Sequence, residues 1–228
     1  FAYVLGLPLG ILLIVTDKNG LRPVPALNAV LGWVINIGRS IPFIILLIAI
    51  IPFTRALVGT TIGSTATIVP LTVAAAPYVA RLVESSLREM DRGVVEAAQS
   101  MGCSTWQIVT KVMLPECLPS LINGATNATI TILGYGAMAG NIGGGGLGKI
   151  AIMVGYNRYK YAVLYLAVIV LVILVQLFQS VGTKLFQFFG YYNPFFLRLI
   201  RGPGIIKVEI VRKIVRQNGA VKRTNSVN

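Results

Sequence analysis

The stretch that decides the fold is Glu96-Ala97-Ala98-Gln99-Ser100-Met101-Gly102, which is followed ten residues later by Val112-Met113-Leu114-Pro115. Hydrophobic segments flank this region on both sides. The region is too polar to cross a bilayer, because a spanning helix needs about 20 mostly apolar residues. It is also too apolar to be a loose tail. We therefore predict a folded loop between membrane spans, over about residues 88–117.

The composition of the whole chain favours an integral membrane protein. Its 228 residues have a mean hydropathy of +0.78 and only 12% are charged, whereas a soluble domain carries about 25%. The net charge of +13 raises the question of nucleic-acid binding, but eight of the 20 Lys and Arg follow residue 190 without a base-reading motif. Basic segments beside membrane spans usually fix topology and contact anionic lipid. No nucleic-acid partner is therefore expected.

Five hydrophobic segments are predicted to supply membrane-spanning helices. They cover residues 1–16, 26–54, 56–80, 118–148 and 161–183. The first is short for a span, which suggests that the N-terminus is truncated. Most Lys and Arg between the spans fall on the side of the 88–117 loop, so this side is predicted to be cytoplasmic.

The predicted fold class is therefore an all-α polytopic membrane protein with about five transmembrane helices and one folded cytoplasmic loop. We expect residues 1–190 to form the transmembrane domain and residues 191–228 to form a basic tail. The amphipathic pattern of the tail favours a helix on the membrane surface. Its glycines and polar end favour disorder, so both interpretations remain open. The glycine-rich segment 134–148 is expected to be irregular and to face outward.

Two short helices are predicted within the 88–117 loop. Asp91 can cap a helix that ends at Gly102. The sequence Ser104-Thr105-Trp106-Gln107 has the pattern of a capping box, and its helix is expected to stop at Pro115. Ala97 and Ala98 keep one flank thin enough for another surface to approach closely.

Four features of the spans call for an interpretation. Arg39 is a candidate functional charge within a span, because burial of a charge at the bilayer centre costs about 2.5–3.5 kcal/mol; the alternative is that it lies near the interface. Pro42 is expected to loosen the helix there. The charges that follow Arg81 are predicted to carry the third helix into water, and the polar residues of the fourth span to face other helices or a water-filled path.

No catalytic, metal or cofactor site is predicted. The chain has no histidine, seven acidic residues and two cysteines that do not form a close pair, Cys103 and Cys117. Residues 143–149 fit the start of a phosphate-binding loop, but Ile150 stands where Ser or Thr is needed to hold magnesium. A flexible glycine turn at a pore mouth is the better interpretation.

The spacing from Glu96 through Gly102 to Pro115 resembles the cytoplasmic signature of ABC-importer permeases. A slight departure is Val112, where that family commonly has Ile. Over about residues 3–185 the chain is similar to the methionine-import permeases within that family. The segments that carry this likeness are 40–47, 51–55, 68–73, 134–138 and 146–148. The long basic tail departs from the family pattern.

The resemblance implies a permease subunit for D/L-methionine that pairs with itself in the bacterial inner membrane and hydrolyses nothing. Its implied partners are an ABC ATPase subunit and a periplasmic or lipid-anchored methionine-binding protein. It also implies roles for individual residues in coupling to the ATPase and in the pore. The coupling residues are Glu96, Ala97, Ala98, Gly102, Leu114 and Pro115, and the pore or gate residues are Tyr135 and Met138.

Two rival classes of function remain open, namely another importer and a channel or membrane enzyme. A permease for another small amino acid could share the same scaffold. A channel-like membrane protein would need no ATPase, and a membrane enzyme would need a catalytic cluster that the sequence does not offer.

Overall fold

The computed structural model describes residues 1–140 and 143–200, and side chains as far as residue 189. All regular structure in this part of the chain is helical. The helices are α1 (Ala2–Thr16), α2 (Pro25–Ser40), α3 (Phe43–Ala49), α4 (Ile51–Val58), α5 (Ser64–Arg88), α6 (Arg92–Ser100), α7 (Thr105–Ile108), α8 (Leu114–Glu116), α9 (Leu118–Ala139), α10 (Gly146–Lys149) and α11 (Tyr161–Ile200). π-Helical turns at Val109–Met113 and Ile150–Tyr156 follow α7 and α10.

The helices confirm the predicted all-α membrane architecture. Among the described residues, α5 and the Tyr161–Phe189 part of α11 are each long and apolar enough to cross a membrane. α2 and α3 together form a third such unit, bent by 99° at its break. α9 has 22 residues, which corresponds to about 33 Å. The polar residues of α9 lower its hydropathy, as expected of a helix that faces other helices.

The predicted start of the third span was wrong. The uncharged run 56–80 is not one helix, because α4 ends at Val58 and α5 begins only at Ser64. Gly59 and Gly63 have φ angles of +77° and +105°, a backbone conformation that side chains other than glycine rarely adopt. The chain therefore turns between these two glycines, at a place where the sequence has no charged residue.

The helices near the C-terminus are longer than predicted. α9 continues through Gly134 and Gly136 to Ala139, so glycine content did not end the helix where expected. α11 continues to Ile200, beyond the last residue of the hydrophobic segment 161–183. Residues 201–228, which hold most of the predicted basic tail, lie outside the described residues.

Pro42 breaks the second hydrophobic unit more sharply than expected. It stands at the start of α3, and α2 ends two residues earlier at Ser40. Proline has no N–H to donate and disfavours a helical residue before it, so a continuous helix cannot pass this point easily. The bend of 99° leaves Arg39 in the last turn of α2.

α1 packs closely along α5 through two glycines one turn apart. A Cβ atom added at Gly6 would lie 2.6 Å from Cβ of Val79, and one added at Gly10 would lie 2.6 Å from the Ala80 carbonyl oxygen. Real Cβ atoms do not approach so closely, so larger residues would push the helices apart. The Gly-x-x-x-Gly spacing of these residues is a known helix-packing pattern in membranes, and it was a signal that our sequence analysis missed.

A charged network joins α5 to α2 and to Asp17, the residue that follows α1. It lies at the end of the bundle that carries α6 to α8 (the loop end). Glu84 accepts hydrogen bonds from Arg81 at 2.6 Å and from Arg88 at 2.8 Å. Arg88 also pairs with Asp17 at 3.2 Å, and Arg81 donates to Asn36 Oδ1 of α2 at 2.9 Å. Glu84 is only 5% exposed. The prediction that α5 enters water after Arg81 is therefore wrong for Glu84. This carboxylate is buried in the bundle and paired with two arginines.

Replacement of Glu84 by Gln should destabilise the bundle by about 1–3 kcal/mol, because it leaves the partly buried Arg81 without its carboxylate. The exposed Arg88 keeps Asp17 as a partner. Thermal unfolding of the detergent-solubilised protein measures this change. Glu89→Gln is the matched control, since Glu89 is exposed and accepts one hydrogen bond, from Ser120, that Gln can also accept. Equal unfolding temperatures for the two variants would contradict a stabilising role for the network.

Candidate functional site

The first helix of the 88–117 loop has the predicted ends. The Asp91 side chain accepts a hydrogen bond from the Gly93 N–H at 2.9 Å and so caps α6. Gly102 has a φ of +75°, and its N–H donates to the Gln99 carbonyl oxygen at 2.9 Å. A left-handed residue after a helix is a common way to end it, so the glycine sets the direction of the chain between α6 and α7.

The second helix begins as predicted but does not stop at Pro115. Ser104 and Gln107 form the complete capping box, with the Ser104 N–H donating to Gln107 Oε1 at 2.9 Å. The backbone stays helical through Pro115 to Glu116, directly after the π-helical turn Val109–Met113. Only Cys117 separates α8 from α9. The loop is therefore connected almost rigidly to α9.

An apolar cluster anchors the loop to the spanning helices; we call it the loop core. Its buried residues come from α5, α6, α7, the π-helical turns after α7, and α9. They are Val79, Val83, Leu87, Ala98, Ile108, Val109, Val112, Met113, Cys117 and Ala128. Half-buried residues of α1 pack against the same cluster. Burial of aliphatic side chains is the main favourable term in such packing, so the loop and the spans form one packed unit.

The predicted coupling residues divide between this core and the surface. Ala98 is 0% exposed, and Leu114 packs against the loop core. Ala97 and Pro115 are half-buried, whereas Glu96 and Gly102 are exposed. The surface that packs closely against Ala98 is thus the chain's own loop core. Glu96 lies on the exposed side of α6.

Two exposed apolar side chains lie on the loop and were not singled out from the sequence. Trp106 is 75% exposed and Met101 is 39% exposed. Exposed large apolar side chains next to charged ones are typical of protein–protein contact sites. A cleft of about 520 Å³ separates this loop from the connection between α1 and α2, with Glu96 and Arg92 on one side and Asn19 on the other.

The two pore candidates have different surroundings on α9. Tyr135 stacks on Phe43 of α3, with ring centroids 4.6 Å apart and planes 10° apart. It belongs to a second apolar cluster with Ala139 and Ala74. Met138 lies one turn further on and is 49% exposed. The geometry makes Tyr135 a packing residue between α3 and α9 and leaves Met138 free to contact another surface.

The described residues contain no group of three or more His, Cys, Asp or Glu that could hold a metal ion. The two cysteines of the loop are free thiols with different surroundings. Cys117 is buried and Cys103 is half-buried. Burial, followed by the negative charge of Glu89, raises the pKa of Cys117 to about 11.

Comparison with known proteins agrees with this geometry. The family described as "Binding-protein-dependent transport system inner membrane component" matches residues 6–188. The chain belongs to this family. It is 52% identical over 183 residues to the probable D-methionine transport system permease protein MetI of Vibrio cholerae, covering 80% of this chain and 81% of that one. It is 46% identical over 171 residues to the methionine import system permease protein MetP of Bacillus subtilis, covering 75% and 77%.

A solved structure of the family has the same fold. The chain resembles an inward-facing conformation of the MetNI methionine ABC transporter with a TM-score of 0.81 and 49% identity. The match covers 82% of this chain and 86% of that chain. The resemblance to importer permeases that the Glu96–Pro115 spacing indicated is thereby confirmed over most of the sequence.

Cys117 should react far more slowly than Cys103 with N-ethylmaleimide at pH 8. A pKa of about 11 leaves only about one thiol in a thousand ionised at that pH, and the thiolate is the reactive form. Mass spectrometry of peptides from the folded, detergent-solubilised protein measures each site. In denaturant both thiols should react at similar rates. Equal labelling of the two cysteines in the folded protein would mean that the loop core is open at Cys117.

Proposed function

We propose that this chain is the permease subunit of an ABC importer for methionine in the bacterial inner membrane, where it spans the bilayer several times. The observation that carries the proposal is the 88–117 loop, a compact unit with an exposed charged and apolar face that is packed onto the spanning helices. Relatives at 52% and 46% identity are named as permeases for D-methionine and for methionine. Their names support methionine as the substrate.

The exposed face of the loop is the surface that would bind an ATPase subunit in the cytoplasm. Glu96, Trp106 and Met101 combine one charge with two apolar side chains, which is the composition of a contact site between proteins. Gly102 sets the angle between α6 and α7, and Ala98 and Leu114 hold the loop on its core. Ala97 and Pro115 are half-buried.

The mechanism we propose is alternating access. ATP binding closes the ATPase pair and draws the loops of two permease subunits together. Because the loop core includes residues of α5, α6 and α9, movement of the loop moves these helices as well. The cycle requires that ATP bind the inward-facing and outward-facing states unequally, since a ligand shifts an equilibrium only by its differential affinity.

The remaining roles follow from the same proposal. The permease pairs with itself, a binding protein delivers methionine from outside, and the chain performs no hydrolysis of its own. Met138, exposed on α9, narrows the path at its outer part, and Tyr135 sets the position of that part of α9 by stacking on Phe43. Another small amino acid as substrate is the second candidate, because the scaffold alone does not select the side chain.

Gly102→Pro should abolish retention of the ATPase and ATP-driven methionine uptake. Proline holds φ near −65°, which is incompatible with the φ of +75° at this position. Copurification with the ATPase and uptake of labelled methionine by the reconstituted complex measure the effect. Excess unlabelled methionine should block uptake by the unaltered complex, and failure to block it would exclude methionine as the substrate.

Gly59→Pro is the matched control for this experiment. Gly59 has a φ of +77°, its N–H donates to a carbonyl oxygen at 2.8 Å, and a Cβ there would meet nothing within 4 Å. Gly102 has the same open surroundings. The two variants thus impose the same backbone change, but only one does so in the loop. Loss of the ATPase from both variants would show general misfolding instead of a role in coupling.

A further inference from the structure

A cavity of about 380 Å³ lies between α2 and α5 beside the break at Pro42. Arg39 lines it from α2, whereas Tyr78, Leu82 and Ser85 line it from α5. This volume is within the range of about 300–1,000 Å³ that is usual for small-molecule sites. The lining combines apolar carbon, two hydroxyl groups and a guanidinium, which suits a small amphipathic ligand.

The cavity reaches well away from the loop end of the bundle. Tyr78 precedes Arg88 by ten residues on α5, which corresponds to about 15 Å along the helix. Gly38, the neighbour of Arg39, lies against Pro77, since an added Cβ there would be 2.8 Å from Pro77 Cγ. Arg39 therefore stands at the level of Pro77 and Tyr78, within the apolar part of the helix.

The charges around the cavity do not balance. The carboxylate of Glu84 is already paired with Arg81 and Arg88, and Arg88 is also paired with Asp17. Arg39 has no hydrogen bond or ion pair to any described residue, so three arginines face two carboxylates. This part of the bundle has one positive charge in excess, and the side chain of Arg39 is exposed and therefore accessible to an anion.

Arg81 has an unused hydrogen-bond donor at the same place. Its two terminal nitrogens donate hydrogen bonds. One donates to Glu84 at 2.6 Å, and the other donates to the Gly32 carbonyl oxygen and to Asn36 Oδ1. Its Nε is buried and has no partner. A buried donor without a partner costs free energy. This Nε is fully covered, so an oxyanion in the cavity would bond to it only after the Arg81 side chain shifts.

We propose that Arg39 and Arg81 form a binding site for one oxyanion, a carboxylate or a phosphate. Guanidinium groups bind both through paired, charge-assisted hydrogen bonds, and one such anion would cancel the excess charge. Two kinds of molecule carry an oxyanion that fits this site. One is the carboxylate of the transported amino acid, which rests on the proposed function, and the other is the phosphate of an anionic lipid that enters between α2 and α5.

The purified complex of permease and ATPase tests the site in two arms. In the first arm, binding of radiolabelled methionine is measured in detergent without the binding protein, with 3-(methylthio)propylamine, which lacks the carboxylate, as competitor. In the second arm, retention of phosphatidylglycerol is counted by native mass spectrometry and compared with phosphatidylcholine. The variants are Arg39→Gln, Arg39→Lys and, as control, Arg55→Gln, since Arg55 is an exposed arginine of α4 outside the cavity.

Arg39→Gln should weaken binding about tenfold or more in the arm that carries the true ligand. Arg39→Lys should restore part of the affinity, and Arg55→Gln should change nothing. The amine should compete poorly with methionine if the carboxylate is the bound group. The arm that responds identifies the source of the oxyanion.

The site is disproved if the unaltered complex binds neither probe, or if Arg39→Gln binds both as the unaltered complex does. Methionine uptake by the unaltered complex, measured in parallel, separates this result from a failure of the proposed function. If uptake occurs and neither arm responds, only the oxyanion site is wrong. If uptake fails, retention of phosphatidylglycerol still decides whether the site exists.

Discussion

The loop core is the packing on which the rest of the structure depends. Ala98 of α6 is 0% exposed, and it packs in one cluster with Leu87 of α5 and Met113 of the turns that lead into α9. A larger side chain at Ala98 would need space that a close-packed interior does not have. The short helices of the 88–117 loop are therefore held against the spans, and the loop cannot move without them.

The charged network strengthens the same end of the bundle by a different interaction. Glu84 joins Arg81 and Arg88 within α5, and through them it connects α5 to Asp17 and to Asn36 of α2. Buried ion pairs add little net stability, but they select one arrangement of helices, because any other leaves a charge unpaired. Apolar packing thus holds the loop, and charge pairing sets the register of α1, α2 and α5.

Much of this fold could be predicted from the sequence because its signals are local. Caps such as Asp91 and the Ser104–Gln107 box, and the left-handed Gly102, depend only on neighbouring residues, and all three appeared where expected. Features set by contacts distant in sequence could not be predicted. The burial of Glu84 depends on partners in two other helices, and the course of the backbone at Pro115 depends on the packing of Val112 and Met113 beneath it.

We propose that the loop and α5 move as one body when ATP binds to the associated ATPase. Pulsed electron paramagnetic resonance tests this in the proposed complex of two permease subunits with the ATPase, with Cys103 replaced by Ser and one spin label per chain. The label is placed first at Gln99 of α6 and then at Ser85 of α5, both of which are exposed. Both distances between the two subunits should shift together on addition of ATP. A shift at Gln99 with none at Ser85 would contradict it.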